Sequence, residues 1–205
     1  MKKYLIIIQL LVLSNTFAQF DLGAGMGLAF FNSDDLEIYL NSNFANQTNR
    51  LNTFNSSGDF FMELGYELNE NYQLGVEYNF NIYSFNSSFG LGIYDLSLNH
   101  HKPSIIGYYI MKGIGYKIKF GVGTGIRIVQ AEEKLLGVSN YSTNGIGFIF
   151  KAQGDTKLSG NLYALIAGEL RYDLPGEIKT LGLGGSIISL NSIGVGLKLG
   201  TVYYF

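Results

Sequence analysis

SIGVGLKLGTVYYF, residues 192–205, ends the chain and alternates almost without a fault. Apolar or aromatic residues occupy one parity: Ile193, Val195, Leu197, Leu199, Thr201, Tyr203 and Phe205. Small or polar residues occupy the other: Ser192, Gly194, Gly196, Lys198 and Gly200. A period of two predicts a β-strand with one apolar face, and an apolar-out strand that ends on an aromatic residue is typical of a membrane-spanning barrel. We predict that Thr201, Tyr203 and Phe205 form the C-terminal signal that barrel-assembly machinery recognises.

The same alternation recurs along the chain. It predicts further strands at 20–31, 58–68, 72–82, 94–110, 117–129, 144–153 and 161–174. In the fourth of the eight strands the parity fails around His100, His101, Lys102 and Pro103, where we expect a bulge or a stretch above the membrane.

The segments between the strands alternate in length. Residues 32–57, 84–93, 130–143 and 175–190 are long and rich in Asn, Ser and Gly, whereas 69–71, 111–116 and 154–160 are short. We therefore predict an all-β fold, an eight-stranded antiparallel up-and-down transmembrane β-barrel with long extracellular loops and short periplasmic turns. Both termini then lie in the periplasm. The structural alternative is a soluble lipocalin-like barrel, which keeps apolar residues inside and charges outside, the opposite of the predicted polarity.

The N-terminus and the composition define the setting. Lys2 and Lys3, an apolar run over 4–13 and Ala18-Gln19 predict a cleaved signal peptide over 1–18 and one barrel domain over 19–205. Without the signal, 12 bases face 16 acids, which disfavours nucleic-acid binding. Cysteine is absent and no cofactor or metal motif occurs, so we expect neither. The predicted location is the outer membrane of a Gram-negative bacterium, with outer-membrane lipid as a partner.

Charged residues share the predicted inner face. The predicted lumen set, apart from Asp21, is Glu63, Glu67, Glu77, Lys117, Lys119, Arg127, Lys151, Glu169, Arg171, Asp173 and Lys198. An eight-stranded barrel is just wide enough for its own side chains, and buried charges need partners. This favours an ion-pair network that fills the lumen, centred on Glu169 and Arg171, over a conductive pore.

Two other features carry a functional hypothesis. His100 and His101 lie near Ser104, and outer-membrane enzymes that act on lipid acyl chains use a histidine and a serine, with Asp95 as a candidate acidic partner here. The spacing matches such a site poorly, so we favour solvated histidines at the rim and predict no enzyme activity. Residues 33–40 predict a capped short amphipathic helix that folds over the barrel mouth or rests on the lipid surface.

Several motifs give the chain a resemblance to a known family. Phe17-Ala18-Gln19, the run over 102–109, the glycine-rich run over 120–125, Gly168-Glu169-Leu170-Arg171-Tyr172 and Tyr203-Tyr204-Phe205 are similar to the PorT-like small outer-membrane barrels, related in architecture to OmpA and OmpX barrels. Lys102-Pro103-Ser104 departs from the Ile-Pro-Leu-Leu that the family tends to have. The resemblance implies an outer-membrane barrel, with some members linked to protein secretion, and no catalytic residues. We expect a structural or surface-binding role through the outer loops, toward an extracellular or envelope partner. The alternatives are a narrow channel and a lipid-modifying enzyme.

Overall fold

The computed structural model describes residues 19–45, 50, 51, 55–89, 92–135, 137–179 and 187–205. The predicted signal peptide lies outside these residues. The described elements are β1 (Phe20–Asn32), α1 (Asp34–Asn43), β2 (Asn55–Glu67), β3 (Tyr72–Phe89), β4 (Gly92–Gly113), β5 (Tyr116–Lys134), β6 (Val138–Ser159), β7 (Leu162–Leu174), β8 (Glu177–Lys179), β9 (Ile187–Ser189) and β10 (Ser192–Tyr204).

The long strands close into a barrel. Their order around the ring is β1, β10, β7, β6, β5, β4, β3, β2, and β2 pairs with β1. Every pair in the ring is antiparallel. The predicted eight-stranded antiparallel barrel is confirmed, and the short strands β8 and β9 form a separate hairpin.

The two ends of the barrel differ. At the termini end, Phe205 donates its N–H to the carbonyl of Phe20 (3.0 Å), and tight turns join β2 to β3, β4 to β5 and β6 to β7. The opposite end, which we call the helix end, carries α1 and the β8–β9 hairpin. The predicted short connections therefore all lie at the end that holds the termini.

The predicted long loops at 84–93 and 130–143 are wrong. β3 to β6 have 18, 22, 19 and 22 residues, whereas β1, β2, β7 and β10 have 13 each. The extra residues continue the ladders toward the helix end, and β6 also takes in most of the predicted turn at 154–160. Polar composition indicated loops, but β-sheet pairing satisfies these backbone groups while the polar side chains face outward.

β4 contains no bulge at the position predicted for one. The register between β4 and β5 is the same on both sides of Lys102 and Pro103: His101 pairs with Ile128 and Ser104 pairs with Gly125. Pro103, which has no N–H to donate, still pairs with Tyr78 of β3. The break in the sequence pattern therefore does not mark a bulge. It marks the point where the outer and inner surroundings of the strand change polarity.

A wide band of the barrel exterior is apolar. Leu64, Val76, Ile105, Val122 and Leu197, each from a different strand, are 47, 54, 58, 58 and 64% exposed. Aromatic rings gather toward the termini end, where Phe20 contacts Tyr66, Tyr72 contacts Tyr109 and Tyr203 contacts Phe205 at centroid distances of 4.8, 5.7 and 5.1 Å. We call this band the apolar belt. It matches the lipid-facing surface that an outer-membrane barrel needs.

Beyond the belt, toward the helix end, the polarity of the strands reverses. On β3 the outward residues become Ser84, Asn86 and Ser88, while Tyr83 and Phe85 point inward and are buried. The interior there holds an apolar core formed with α1. Within the residues described, no helix has both the length and the apolar character needed to cross a bilayer. The chain thus combines a polar-filled barrel inside the belt with an apolar-filled barrel outside it.

Candidate functional site

The centre of the lumen is a carboxylate that several cations share. Glu77 of β3 is fully buried and lies 2.8 Å from the Nζ of Lys151, 2.5 Å from an Nη of Arg171 and 3.4 Å from the Nζ of Lys198. These cations come from β6, β7 and β10, across the barrel from β3. The contacts therefore join opposite walls rather than neighbouring strands.

Further carboxylates surround this centre. Glu63 accepts from Lys151 (2.7 Å) and from the hydroxyl of Tyr108 (2.6 Å). Glu169 accepts from Arg171 (2.6 Å) and lies 2.9 Å from the Nζ of Lys198. Asp59 is 3.9 Å from the same lysine. Each cation of the centre thus has a second acidic neighbour, which is the arrangement that makes buried charges tolerable.

A second layer lies nearer the helix end. Asp173 is 2.9 Å from the Nζ of Lys102 and accepts a hydrogen bond from Arg127, whose Nη1 also donates to the hydroxyl of Ser104 (3.1 Å). Gly147 lies beneath this pair, and an added Cβ there would clash with the Arg127 guanidinium unless that side chain moved.

A third layer lies nearer the termini end. Lys119 is 3.2 Å from Asp21 and 3.5 Å from Asp155, and the hydroxyl of Tyr204 donates to Asp155 (2.6 Å). At the rim, Glu67 accepts from Lys112 and Lys117 at 2.6 and 2.7 Å. Each residue of the predicted lumen set therefore lies in one of these layers or at this rim.

The sequence analysis missed three charged members of the network. Asp59 shares the parity of Glu63 and lies inside the strand predicted over 58–68, so the alternation alone could have assigned it to the lumen. Asp155 was assigned to a turn and Lys102 to an irregular stretch, although both lie in regular strands. A longer β6 would have placed Asp155 inside the barrel, and unbroken alternation along β4 would have done the same for Lys102.

The network leaves little open space across the belt. Glu77, Lys119, Arg127, Asp155 and Lys198 each have 0% of their surface accessible, although they lie in different layers. Large inner rings add to the filling, since Lys198 lies over Phe61 and Lys151 over Tyr108 at 5.0 and 5.9 Å from the ring centroids. The geometry supports a filled lumen.

The helix end is closed by α1. Leu36 and Leu40 are buried against the inner face of the extended strands, and the ring of Phe44, just after the helix, stacks on Tyr94 at 3.6 Å. Ser33 occupies the N-cap position but makes no side-chain capping bond, contrary to the predicted cap. Tertiary packing holds this short helix instead. The helix was predicted either to fold over the barrel mouth or to rest on the lipid surface. The structure shows it at the mouth, inserted between the extended strands.

A polar contact anchors this helical plug. The hydroxyls of Tyr39 and Tyr94 both donate to Glu133 of β5, at 2.5 and 2.7 Å. Burial, and then the hydrogen bond to Glu133, raise the pKa of the Tyr94 phenol above its ordinary value. Tyr94 therefore remains a neutral donor at physiological pH.

The structure separates His101 from the serine of the hypothetical lipase-like site. His101 faces outward, where its Nδ1 lies 2.6 Å from the Tyr78 hydroxyl and its ring stacks on Phe80. Ser104 faces inward and contacts Arg127. His101 and Ser104 are therefore on opposite faces of β4 and cannot act as base and nucleophile together. His100 points inward, on the same face as Ser104, and is half-buried with its Nε2 atom buried, so the prediction that both histidines are solvated at the rim is wrong for this residue.

Of the predicted assembly signal, Thr201 and Tyr203 lie on the outer face of β10, and Phe205 directly follows the strand. Thr201 is exposed, and Tyr203 and Phe205 are 45 and 51% exposed. Their recognition by assembly machinery stays a prediction.

Comparison with known proteins identifies the fold. No family model and no curated protein sequence matches this chain. Neisserial surface protein A is similar in structure, with a TM-score of 0.53 and 15% identity over 91% of this chain and 97% of that protein. Ail, the attachment invasion locus protein of Yersinia pestis, solved with the heparin analogue sucrose octasulfate, gives a TM-score of 0.54 and 12% identity over 91% of this chain and 99% of Ail. The resemblance to PorT-like proteins stays a prediction, and the chain has the fold of the small eight-stranded outer-membrane barrels.

Proposed function

We propose that this protein is a closed barrel of the Gram-negative outer membrane that acts as a structural or surface-binding protein through its helix end. The observation that carries the proposal is the contrast between a lumen filled with paired charges and a helix end built as a folded platform. A transport pore needs a hydrated path, which the buried layers around Glu77, Lys119 and Arg127 obstruct. A binding platform needs rigidity, which the packed helix and the extended strands supply.

The outward face of the platform suits contact with a polar partner. Beyond the belt, the exposed positions of β3, β5 and β6 include Ser84, Ser88, Lys134 and Asn140. Along these strands the outward polar side chains alternate with inward side chains of the apolar core, so the packed core holds the outer surface in place. Ail, which has the same fold, was solved with a heparin analogue, and we propose a comparable surface role here, toward an extracellular or envelope partner.

A conductance measurement tests the closed lumen. The mature chain is reconstituted in planar bilayers, and a heat-modifiable gel shift on the same sample checks that the barrel has folded. We expect a folded band and no step-like current. Steady conductance steps would contradict the filled lumen and would make Glu63, Arg127, Glu169 and Arg171 the pore residues to change next.

Cysteine labelling tests the location and orientation, since the chain contains no cysteine. Ile38 in α1 is 63% exposed, and Ile114, in the β4–β5 turn at the termini end, is fully exposed. We expect a membrane-impermeant maleimide to label Ile38→Cys on intact cells and Ile114→Cys only after the outer membrane is permeabilised. The reverse pattern would place the platform in the periplasm.

Photo-crosslinking tests the surface role. A benzophenone amino acid is placed at Ser84, on the polar exterior beyond the belt, or at Ile126, which is 54% exposed within the belt. We expect protein adducts from Ser84 and lipid adducts from Ile126. Absence of protein adducts from Ser84 in cells would argue against a protein partner at this surface.

A further inference from the structure

The outer faces of β4, β5 and β6 carry uncharged polar side chains at the edge where the apolar belt ends. On β5 and β6 the last exposed apolar residues of the belt are Ile128 and Ile146, which are 37 and 53% exposed. Beyond this point the outward side chains are amides, a hydroxyl and an imidazole. We call this set the edge patch: Asn99, His101, Gln130, Ser142 and Asn144.

Three side chains of the edge patch form a continuous row across the strands. Asn99 of β4 pairs with Gln130 of β5, which pairs with Ser142 of β6. Neighbouring strands lie about 4.8 Å apart, so the row is about 10 Å wide. It lines an open groove of about 390 Å³ on the barrel exterior. Within the described part of the chain, no side-chain hydrogen bond ties this row to the barrel, so its amide and hydroxyl groups are available to a ligand.

The height of the edge patch places it among lipid headgroups. A bilayer has a hydrocarbon core of about 30 Å and a total thickness of about 40 to 45 Å, so each headgroup layer is about 5 to 8 Å deep. Gln130 follows Ile128 by two residues, which is about 7 Å along the strand. The edge patch therefore continues the lipid-facing surface of the belt into the headgroup layer, where the neighbours of a barrel are lipid headgroups.

The charges near the edge patch favour a headgroup without phosphate. Phosphate groups are typically held by Arg or Lys, and the edge patch contains neither. The nearest charged outward residue of β5 is an acid, Glu132, which pairs with Lys134 at 2.7 Å. Amide and hydroxyl side chains both donate and accept hydrogen bonds, as the hydroxyls of a sugar do. The edge patch therefore suits an uncharged saccharide.

An apolar groove lies beside the edge patch on the lipid-facing surface. Its volume is about 330 Å³, and its lining includes Phe60, Met62, Tyr78, Phe80 and His101. The Tyr78 hydroxyl lies 2.6 Å from the Nδ1 of His101, and the His101 ring stacks on Phe80 at 4.9 Å. These contacts hold the imidazole at the boundary between the apolar groove and the edge patch. One amphiphilic molecule can therefore contact both surfaces at once.

We propose that the edge patch and the adjacent apolar groove bind a glycolipid of the outer leaflet. Its saccharide hydroxyls exchange hydrogen bonds with Asn99, Gln130 and Ser142, and one of its acyl chains packs against Met62 and Phe80. This inference rests on the outer-membrane location proposed above and adds a lipid to the partners of the helix end. Binding measured in detergent does not depend on location, so it separates a failure of this inference from a failure of the proposed function.

Native mass spectrometry of the folded, detergent-solubilised barrel tests the proposal by counting bound lipids. The probes are digalactosyl diacylglycerol, phosphatidylglycerol and diacylglycerol with the same acyl chains. We expect the galactolipid to bind at least tenfold more tightly than either of the others. Equal binding of galactolipid and diacylglycerol, or no binding of either, would overturn saccharide recognition. Tighter binding of phosphatidylglycerol would overturn the assignment of an uncharged headgroup.

A double variant and a control locate the site. Asn99→Ala combined with Gln130→Ala removes two amides of the row, whereas Asn161→Ala removes an exposed amide in the β6–β7 turn at the termini end. We expect the double variant to bind the galactolipid at least tenfold more weakly and the control to remain within twofold of the wild type. The heat-modifiable gel shift checks folding. Equal affinities in the folded double variant and the control would place the site elsewhere and overturn the proposal.

A charge substitution decides the question if the double variant fails to fold. Gln130→Lys keeps a long polar side chain at the centre of the row and adds the cation that the edge patch lacks. We expect this variant to bind phosphatidylglycerol at least tenfold more tightly than the wild type does. Unchanged binding of both phosphatidylglycerol and the galactolipid would show that lipid headgroups do not contact Gln130, which would overturn the proposal.

Discussion

Replacing Glu77 with glutamine tests whether the buried network stabilises the barrel. Glu77 contacts Lys151, Arg171 and Lys198 and is fully buried, so the change removes the one carboxylate that these three buried cations share. Removing one partner of a buried ion pair costs about 3 to 5 kcal/mol. Each of these cations keeps a second carboxylate, Glu63 or Glu169, within 3 Å. We therefore expect the lower end of that range, about 3 kcal/mol.

Urea unfolding of the reconstituted barrel, followed by the heat-modifiable gel shift, measures this cost. With a slope of about 2 to 3 kcal/mol per molar urea, a loss of about 3 kcal/mol lowers the midpoint by about 1 to 1.5 M. The matched control is Glu67→Gln at the rim. Glu67 pairs there with Lys112, whose side chain is 38% exposed, so we expect the free energy of unfolding to fall by at most about 1 kcal/mol. A Glu77→Gln midpoint equal to that of the wild type, or equal losses in both variants, would refute the reasoning.

Three further predictions concern the belt, the plug and the lumen glycines. Val76→Arg, in the middle of the apolar belt, should lower the free energy of unfolding in lipid by about 2 to 4 kcal/mol, whereas Ser84→Arg, on the same face beyond the belt, should change it by less than about 0.5 kcal/mol. Leu40→Ala should destabilise the packing of α1 in the mouth by about 2 kcal/mol or more, so that the backbone amides of α1 exchange hydrogen at least tenfold faster. Ile38→Ala, on the exposed side of α1, should leave this exchange rate unchanged. Equal exchange rates in the two variants would contradict the buried packing of Leu40. Gly147→Ala should lower the urea midpoint, because the added Cβ lies 2.2 Å from the Nε of Arg127, and an unchanged midpoint would show that the ion pair can move aside.

Much of the barrel was predictable because period-two alternation records which face of a strand meets lipid. β1 and β10 were predicted to within one residue at each end, and the lumen set was assigned to the correct face. The network centre was placed at Glu169 and Arg171, close to Glu77, which the structure shows at the junction of several cations. The cross-barrel pairing itself was not predictable, since it joins residues about 70 to 120 positions apart.

The errors came from treating polarity as evidence for loops. Beyond the belt, water replaces lipid outside the barrel, so polar residues such as Ser84 and Asn140 belong on the outer face of strands. The apolar residues Phe85 and Leu96, which looked irregular in the sequence, line the apolar core inside this part of the barrel. The same reversal explains the apparent break in β4 near His100, where the strand passes from one surrounding medium to the other.

The sequence by itself determined the strand periodicity, the face on which most of the lumen charges lie and the closure of the chain into a barrel, because these follow from local alternation against a uniform lipid phase. The tertiary structure decided the partners of Glu77 and the insertion of α1 into the mouth. These depend on side chains that meet across the lumen from strands distant in the sequence, and local pattern carries no information about which of them come within contact distance.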